Sequence, residues 1–171
     1  KTVFIGDTTE HEYPSSEQLA DIAISASRVV RLFGFDPKVA FVSHSTFGQP
    51  LTSRTKHIKN AVEILKKRNV DFKFDGDMQP DVALNEEYKE LYPFSEIVGN
   101  ANILIMPGQH SAAISYKMMK TLSAAKVIGP LLIGLGQPIE IAPLRSSISE
   151  ILNLASVAAY SAGVINYKKN N

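Results

Sequence analysis

Residues 101–117 read ANILIMPGQHSAAISYK. Ala101–Met106 is an apolar run of strand length, Pro107-Gly108 closes it, and a helical pattern follows from about Ser111 to Ser123. The same order stands upstream. Lys38–Ser43 holds the apolar run Val39-Ala40-Phe41-Val42, Ser43–Gly48 is a Ser/Thr/Gly loop, and a helix is predicted from about Ser53 to Arg68. Ile58, Ala61, Val62 and Leu65 form its narrow apolar face, and Asn69 can end it. Strand, polar loop and helix in repeated succession indicate an α/β fold with a mostly parallel sheet.

Further out, Thr2–Ile5 is a short strand ending at Gly6-Asp7, followed by a polar loop to Pro14. Ser15-x-x-Gln18 has capping-box form and opens a helix. Its buried stripe is Leu19, Ile22, Ala23, Ala26, Val29, Val30 and Phe33, and Gly34 supplies the left-handed stop. Val70–Phe74 is a third strand, Asp75–Asp81 an acidic loop, and Asn85–Leu91 a short helical piece. Lys126–Ile133 and Ile139–Ile141 are read as two more strands. Ser147-x-x-Glu150, another capping box, opens the last helix.

The composition excludes several chemistries. The chain has 171 residues, 44% of them hydrophobic and 20% charged, which are ordinary globular values. Eighteen basic against 17 acidic residues leave +1, so no global field draws the chain to nucleic acid or to an anionic membrane. Cysteine is absent, which removes disulfides, thiolate catalysis and Cys-ligated metals, and a reducing, cytoplasmic compartment is expected. Val127–Ile139 is too short and too broken by Gly and Pro to span a bilayer, so no membrane partner is expected. The first residue is Lys rather than Met, from which a piece of a longer polypeptide is expected.

Ligands of open α/β sheets sit outside the carboxyl ends of the strands. Two junctions qualify. In Ser43–Gly48, Ser45 and Thr46 offer hydroxyls and free amides that can cradle a phosphate or carbonyl, although a polar turn bonded to its own backbone explains the loop as simply. At the second junction, Gly108 would admit a close backbone approach, His110 is a potential acid–base group, and Ser111 could cap the helix or donate to an anion. No G-x-S-x-G elbow, G-x-G-x-x-G after a strand, or phosphate-binding P-loop is present. Asp75, Asp77 and Asp81 lack the order of a calcium loop and read as a solvated turn, so no metal is assigned. Lys66, Lys67 and Arg68 complement the dipole of the second helix, which suffices to explain them without a polyphosphate.

Taken as whole strings, the chain resembles the second half of phosphate acetyltransferases. Val3–Thr8 with Leu19–Ser25 is similar to that family's opening strand and helix. VAFVSHSTFG (Val39–Gly48) resembles its strand and S-x-S-T-x-G loop, and DGDMQPDVAL (Asp75–Leu84) its D-G-E-x-Q-x-D-A-A loop. Ala101–Lys117 and Ile128–Leu135 match two further segments in order. The resemblance implies a three-layer α/β/α sandwich of the isocitrate/isopropylmalate dehydrogenase-like type. It also implies a smaller lobe at about 1–125 and a returning segment of a larger lobe at about 126–165.

The departures refine this. His110-Ser111-Ala112 replaces the acetyltransferases' N-A-G and looks like the acetyltransferase-like region at the C-terminus of bacterial NADP-dependent malic enzymes. Aligning the family's S-R-G-C-S-V-E-D so that its second Ser falls on Ser147 puts Pro143 at its first Ser and Leu144 at the Arg, and leaves Glu150 at the acid. Neither Pro nor Leu can bind phosphate or carbonyl oxygens as a guanidinium does, so no catalytic residue is assigned. Ser45, Thr46, Gly108, His110, Ser111 and Lys117 are the residues expected around an acyl-CoA or acetyl phosphate-like ligand. The resemblance implies acetyl-CoA as an effector, NADP and a divalent metal only upstream of this chain, and a homodimer or higher oligomer. An active phosphate acetyl- or butyryltransferase and a scaffold without ligand are the other readings.

Overall fold

The computed structural model describes residues 1–6 and 11–170, so Asp7 and Thr8 of the opening motif lie outside the described residues, as do the side chains of 89 and 165–170. The chain forms two compact units, Lys1–Met118 and Met119–Asn171.

The first unit is built on β1 (Phe4–Gly6), β2 (Lys38–Val42), β3 (Lys73–Met78) and β4 (Ile103–Ile105), in the spatial order β1-β4-β2-β3. All three pairings are parallel, with Phe4 opposite Ile103, Val39 opposite Ile103 and Val39 opposite Phe74. Successive side chains of a strand point to opposite faces. Val39, Phe41, Ile103 and Ile105 accordingly pack on one face against α1 (Ser16–Leu32) and α2 (Ser53–Lys67). Ala40, Val42, Leu104 and Met106 pack on the other, against α3 (Pro80–Leu84) and Ala112 of α4 (Gln109–Leu122). This is the expected three-layer sandwich. Burial of side chains such as Leu19, Val30, Ile58 and Leu65 contributes about 1.5–3 kcal/mol each.

Local signals set the helix ends. Ser15 accepts from the Gln18 amide at 3.2 Å while the Gln18 side chain accepts from the Ser15 amide at 2.7 Å. Gly34 at φ +82° ends α1, and Asn69 at φ +48° follows α2. Thr52 and Thr55 form a reciprocal cap of the same kind at the start of α2. Arg68 then bonds Asp21 and Glu17 of α1, at 2.5 and 2.6 Å. These pairs face solvent, which screens them, and they add little to stability.

Three expectations need correction. The acidic loop at Asp75–Asp81 is largely strand: β3 starts only at Lys73 and runs on through Met78, because Asp75 and Gly76 pair in register with Ala40 and Phe41 of β2. The helical piece resolves into α3, opened by Pro80 at its first turn, and a 3-10 turn at Glu87–Leu91. Neither Lys126–Ile133 nor Ile139–Ile141 is a strand; among the described residues the sheet has four. Pro130 and Pro138 lack the amide a ladder needs and Gly129 sits at φ +136°, so the segment turns on itself, with the Leu132 amide donating to Glu140 Oε2 at 3.2 Å. The second unit is this irregular segment together with the end of α4 and α5 (Ile148–Asn170). No helix among the described residues is long and apolar enough to cross a membrane.

Candidate functional site

β2 and β4 are neighbours whose following helices leave to opposite faces, α2 to the first and α4 to the second. Chains diverging from adjacent parallel strands open a crevice at the strands' carboxyl ends, where sheets of this kind bind ligands. A groove of about 560 Å³ lies there. Its lining includes Val42, the last residue of β2, and Met106, which follows β4. Ser43 and His44 border it after β2, and Pro107 and Ser111 after β4. α2 contributes Ser53, Arg54, His57 and Ile58, and the approach to α1 contributes Tyr13, Pro14 and Ser15.

Residues from the N-terminal ends of three helices therefore reach one groove: Ser15 caps α1, Ser53 opens α2 and Ser111 stands in the first turn of α4. Helix N-termini present unpaired amides and the positive end of the dipole. Arg54 adds a full positive charge, its guanidinium carbon 5.7 Å from the ring centroid of Tyr13. Val42, Ile58, Met106 and Pro107 supply apolar wall. A groove with amides and a guanidinium beside an apolar wall suits a ligand that is anionic at one end and aliphatic at the other.

Of the residues expected at the ligand, Ser111 lines the groove and the others stand around it as follows. Ser45 and Thr46 are 1% and 7% exposed and hold the loop from within. Ser45 Oγ donates to the Asp77 carboxylate, whose Oδ1 accepts the Gly48 amide at 3.0 Å. Thr46 Oγ1 accepts the Gln79 amide at 3.2 Å, and the Gln79 side chain donates to the His44 carbonyl at 2.9 Å. Ser43, buried like Thr46 and with its Oγ 3.3 Å from Ser45 Oγ, and the exposed His44 line the groove. Gly108 is needed for a close approach, but to the protein itself: a Cβ there would stand 2.9 Å from the Glu12 carbonyl oxygen. Ser111 is third in α4 and no cap; its hydroxyl donates to the Gly108 carbonyl at 2.8 Å while it lines the groove. His110 is exposed, with Nε2 3.5 Å from Glu12 Oε1. Lys117, six residues beyond Ser111 and thus about 9 Å further along α4, is exposed and outside the groove lining.

Asp75, Asp77 and Asp81 do not converge. Asp77 is buried under the Ser45 loop, Asp75 accepts the amides of Gly76 and Glu96, and Asp81 sits in the first turn of α3. Among the described residues no group of three metal-ligating side chains forms. In the sequence Arg54 reads as one of the basic residues of the second helix, which dipole and solubility suffice to explain, and His57 stands in no motif, so neither is placed at the groove before the fold is known.

In the second unit, Glu150 completes its capping box: it accepts the Ser147 amide at 2.8 Å, and its own amide donates to Ser147 Oγ at 3.3 Å. It also pairs with Lys120 at 2.6 Å. The hydrogen bond from Lys120, then those from Ser147, pull its carboxyl down to about 2. Pro143 accepts the Ser146 amide at 2.9 Å, and Leu144 is fully exposed.

Residues 1–159 match the family described as phosphate acetyl/butaryl transferase. An NADP-dependent malic enzyme of Rhizobium meliloti is 47% identical over 163 residues, which cover 95% of this chain and 21% of that protein. A phosphate acetyltransferase of Clostridium acetobutylicum is 36% identical over 162 residues, covering 94% of this chain and 49% of that one. Among solved structures, a phosphotransacetylase from Streptococcus pyogenes superimposes with a TM-score of 0.86 at 32% identity, over 92% of this chain and 48% of its own. The chain thus spans about a fifth of the malic enzyme and about half of the two acetyltransferases.

Proposed function

The chain belongs to the phosphate acetyl/butaryl transferase family, and from that premise we propose that it recognises an acyl-CoA or acyl phosphate as part of a larger malic-enzyme-type protein, without transferring the acyl group. The groove between the ends of β2 and β4 carries this reading, because it sets Arg54 and helix amides beside an apolar wall. The amides and guanidinium would hold phosphate or carbonyl oxygens, and Ile58 and Met106 the aliphatic part. Acyl transfer develops negative charge on those oxygens and gains from a guanidinium held against them. Where the family resemblance sets a Ser-Arg pair, this chain has Pro143 and Leu144, neither of which can donate from its side chain.

Oxidation of malate, with its NADP and divalent metal, then belongs to residues outside this chain. Acetyl-CoA bound here would report carbon status to that reaction through a coupling of about 1–3 kcal/mol. The test is a titration of the full-length parent protein with acetyl-CoA, following heat and malate oxidation together. Saturable heat with a changed oxidation rate is expected; no heat and an unchanged rate would sink the proposal.

The match to the Clostridium phosphate acetyltransferase favours a second reading, in which acyl transfer is retained. Formation of acetyl phosphate from acetyl-CoA and phosphate by the full-length protein, clearly above blank, would establish it.

A further inference from the structure

The segment 11–15 crosses the rim of the groove on its way into α1, so that Tyr13, Pro14 and Ser15 form one wall. His57 of α2 meets this strap with one ring nitrogen and the first residue of α1 with the other. Nε2 lies 2.7 Å from the carbonyl oxygen of Pro14, and Nδ1 3.1 Å from Ser16 Oγ. A carbonyl only accepts, so Nε2 carries a hydrogen and donates it there. Ser16 Oγ also donates to the carbonyl of His57 at 2.9 Å, closing the contact on the α2 backbone. On the strap's other side, the Gln109 amide donates to the Glu12 carbonyl at 3.3 Å. The strap is therefore held between α2 and α4, the two helices whose divergence makes the groove.

We infer that His57 is a positioning residue: through Pro14 it fixes the strap, and the strap sets the width of the groove. The consequence for ligand affinity rests on the reading of the groove as an acyl-CoA or acyl-phosphate site; the hold on the strap does not.

The experiment compares His57→Ala, His57→Asn and His57→Gln in the full-length parent protein by amide hydrogen exchange and by acetyl-CoA calorimetry. A glutamine amide extends to the Nε2 position and keeps the bond to Pro14, whereas asparagine extends only to Nδ1. Protection of the Gln109 amide, whose acceptor is in the strap, is expected to fall about tenfold in the Ala and Asn variants and to return in Gln, with acetyl-CoA affinity in the same order. Unchanged protection in His57→Ala, or equal loss in all three variants, overturns the assignment. Loss of protection throughout the core also overturns it, since His57 would then hold the fold and not the strap. If the unsubstituted parent protein takes up no acetyl-CoA, the functional reading falls, and the Gln109 amide alone upholds or overturns the hold on the strap.

Discussion

Asp77, at the end of edge strand β3, receives the hydroxyl of Ser45, 32 residues earlier in the chain, on one carboxylate oxygen and the Gly48 amide on the other. Its backbone carbonyl also accepts the Phe47 amide at 2.6 Å. One buried acid thus fixes the loop whose residues Ser43 and His44 border the groove. Hydrogen bonds to an ionised group contribute more than neutral ones, and a partner left buried and unpaired costs its full desolvation.

Asp77→Ala is accordingly expected to lose about 3 kcal/mol, and Ser45→Ala about 1–2 kcal/mol, in urea unfolding. The double variant should lose less than the two together, because both remove the same bond. Additive losses would mean that Asp77 and Ser45 do not act as a pair.

Gly76 and Gly34 separate two costs of a side chain. Both have positive φ, +149° and +82°. A Cβ at Gly76 would stand 2.8 Å from both the Cβ and the carbonyl oxygen of Phe41 on the neighbouring strand, whereas at Gly34 nothing lies within 4 Å. Gly34→Ala should cost about 1–2 kcal/mol of backbone strain, and Gly76→Ala at least 3 kcal/mol, roughly, since it also pushes β3 from β2. Equal melting temperatures for the two variants would contradict this.

The carboxyl of Glu150 is held at about 2, first by the hydrogen bond from Lys120 and then by those from Ser147. An acid lowered from its unfolded value, about 4.3, adds stability that is complete above that value and is lost as pH falls through about 2. Glu150→Gln should therefore lower the helix signal or melting temperature of the chain at pH 7, and the difference from the unsubstituted chain should vanish as the pH falls through about 2. A difference that persists unchanged in acid would show that charge is not what Glu150 contributes.

The layers were legible because their signals are local. Val39–Val42 and Ala101–Met106 are apolar throughout, and the caps at Ser15 and Ser147 follow from neighbours three residues away. Lys126–Ile133 is equally apolar, yet strand formation also needs a partner, and Gly129-Pro130 denies it one. The site was legible in its junctions but not in its side chains. Ser43 and Ser45 are the same residue type two positions apart and both are buried, and only the fold decides that Ser45 bonds Asp77 while Ser43 borders the groove. Arg54 and His57 reach the groove because α2 points its first turns at it, which no spacing within the helix records.

Arg54 tests the groove without disturbing the core. Its guanidinium stacks at 5.7 Å over the exposed ring of Tyr13 and is exposed itself. Arg54→Ala is expected to weaken acetyl-CoA about tenfold in calorimetry, the effect of one charged hydrogen bond, while the melting temperature stays within about 2 °C. Unchanged affinity would remove the guanidinium from the ligand's surroundings.

The apolar stripe of α1 is covered by the sheet, Leu19, Ala23 and Val30 all being buried. α5 is different: Ile148 and Leu152, one turn apart on the same face, are 79% and 61% exposed, and Ile139, Ile141 and Leu144 ahead of it are exposed as well. Apolar surface gathered in this way favours association, and closed two-fold pairs are the commonest outcome for soluble chains. The chain on its own is therefore expected to be at least a dimer through α5 in sedimentation equilibrium near 10 µM, roughly, where a Kd of about 1 µM leaves most of it paired. Joint replacement of Ile148→Glu and Leu152→Glu should return the monomer mass, because two carboxylates per partner would have to be desolvated in the contact. A monomer before substitution, independent of concentration, would show that these side chains do not draw two copies together.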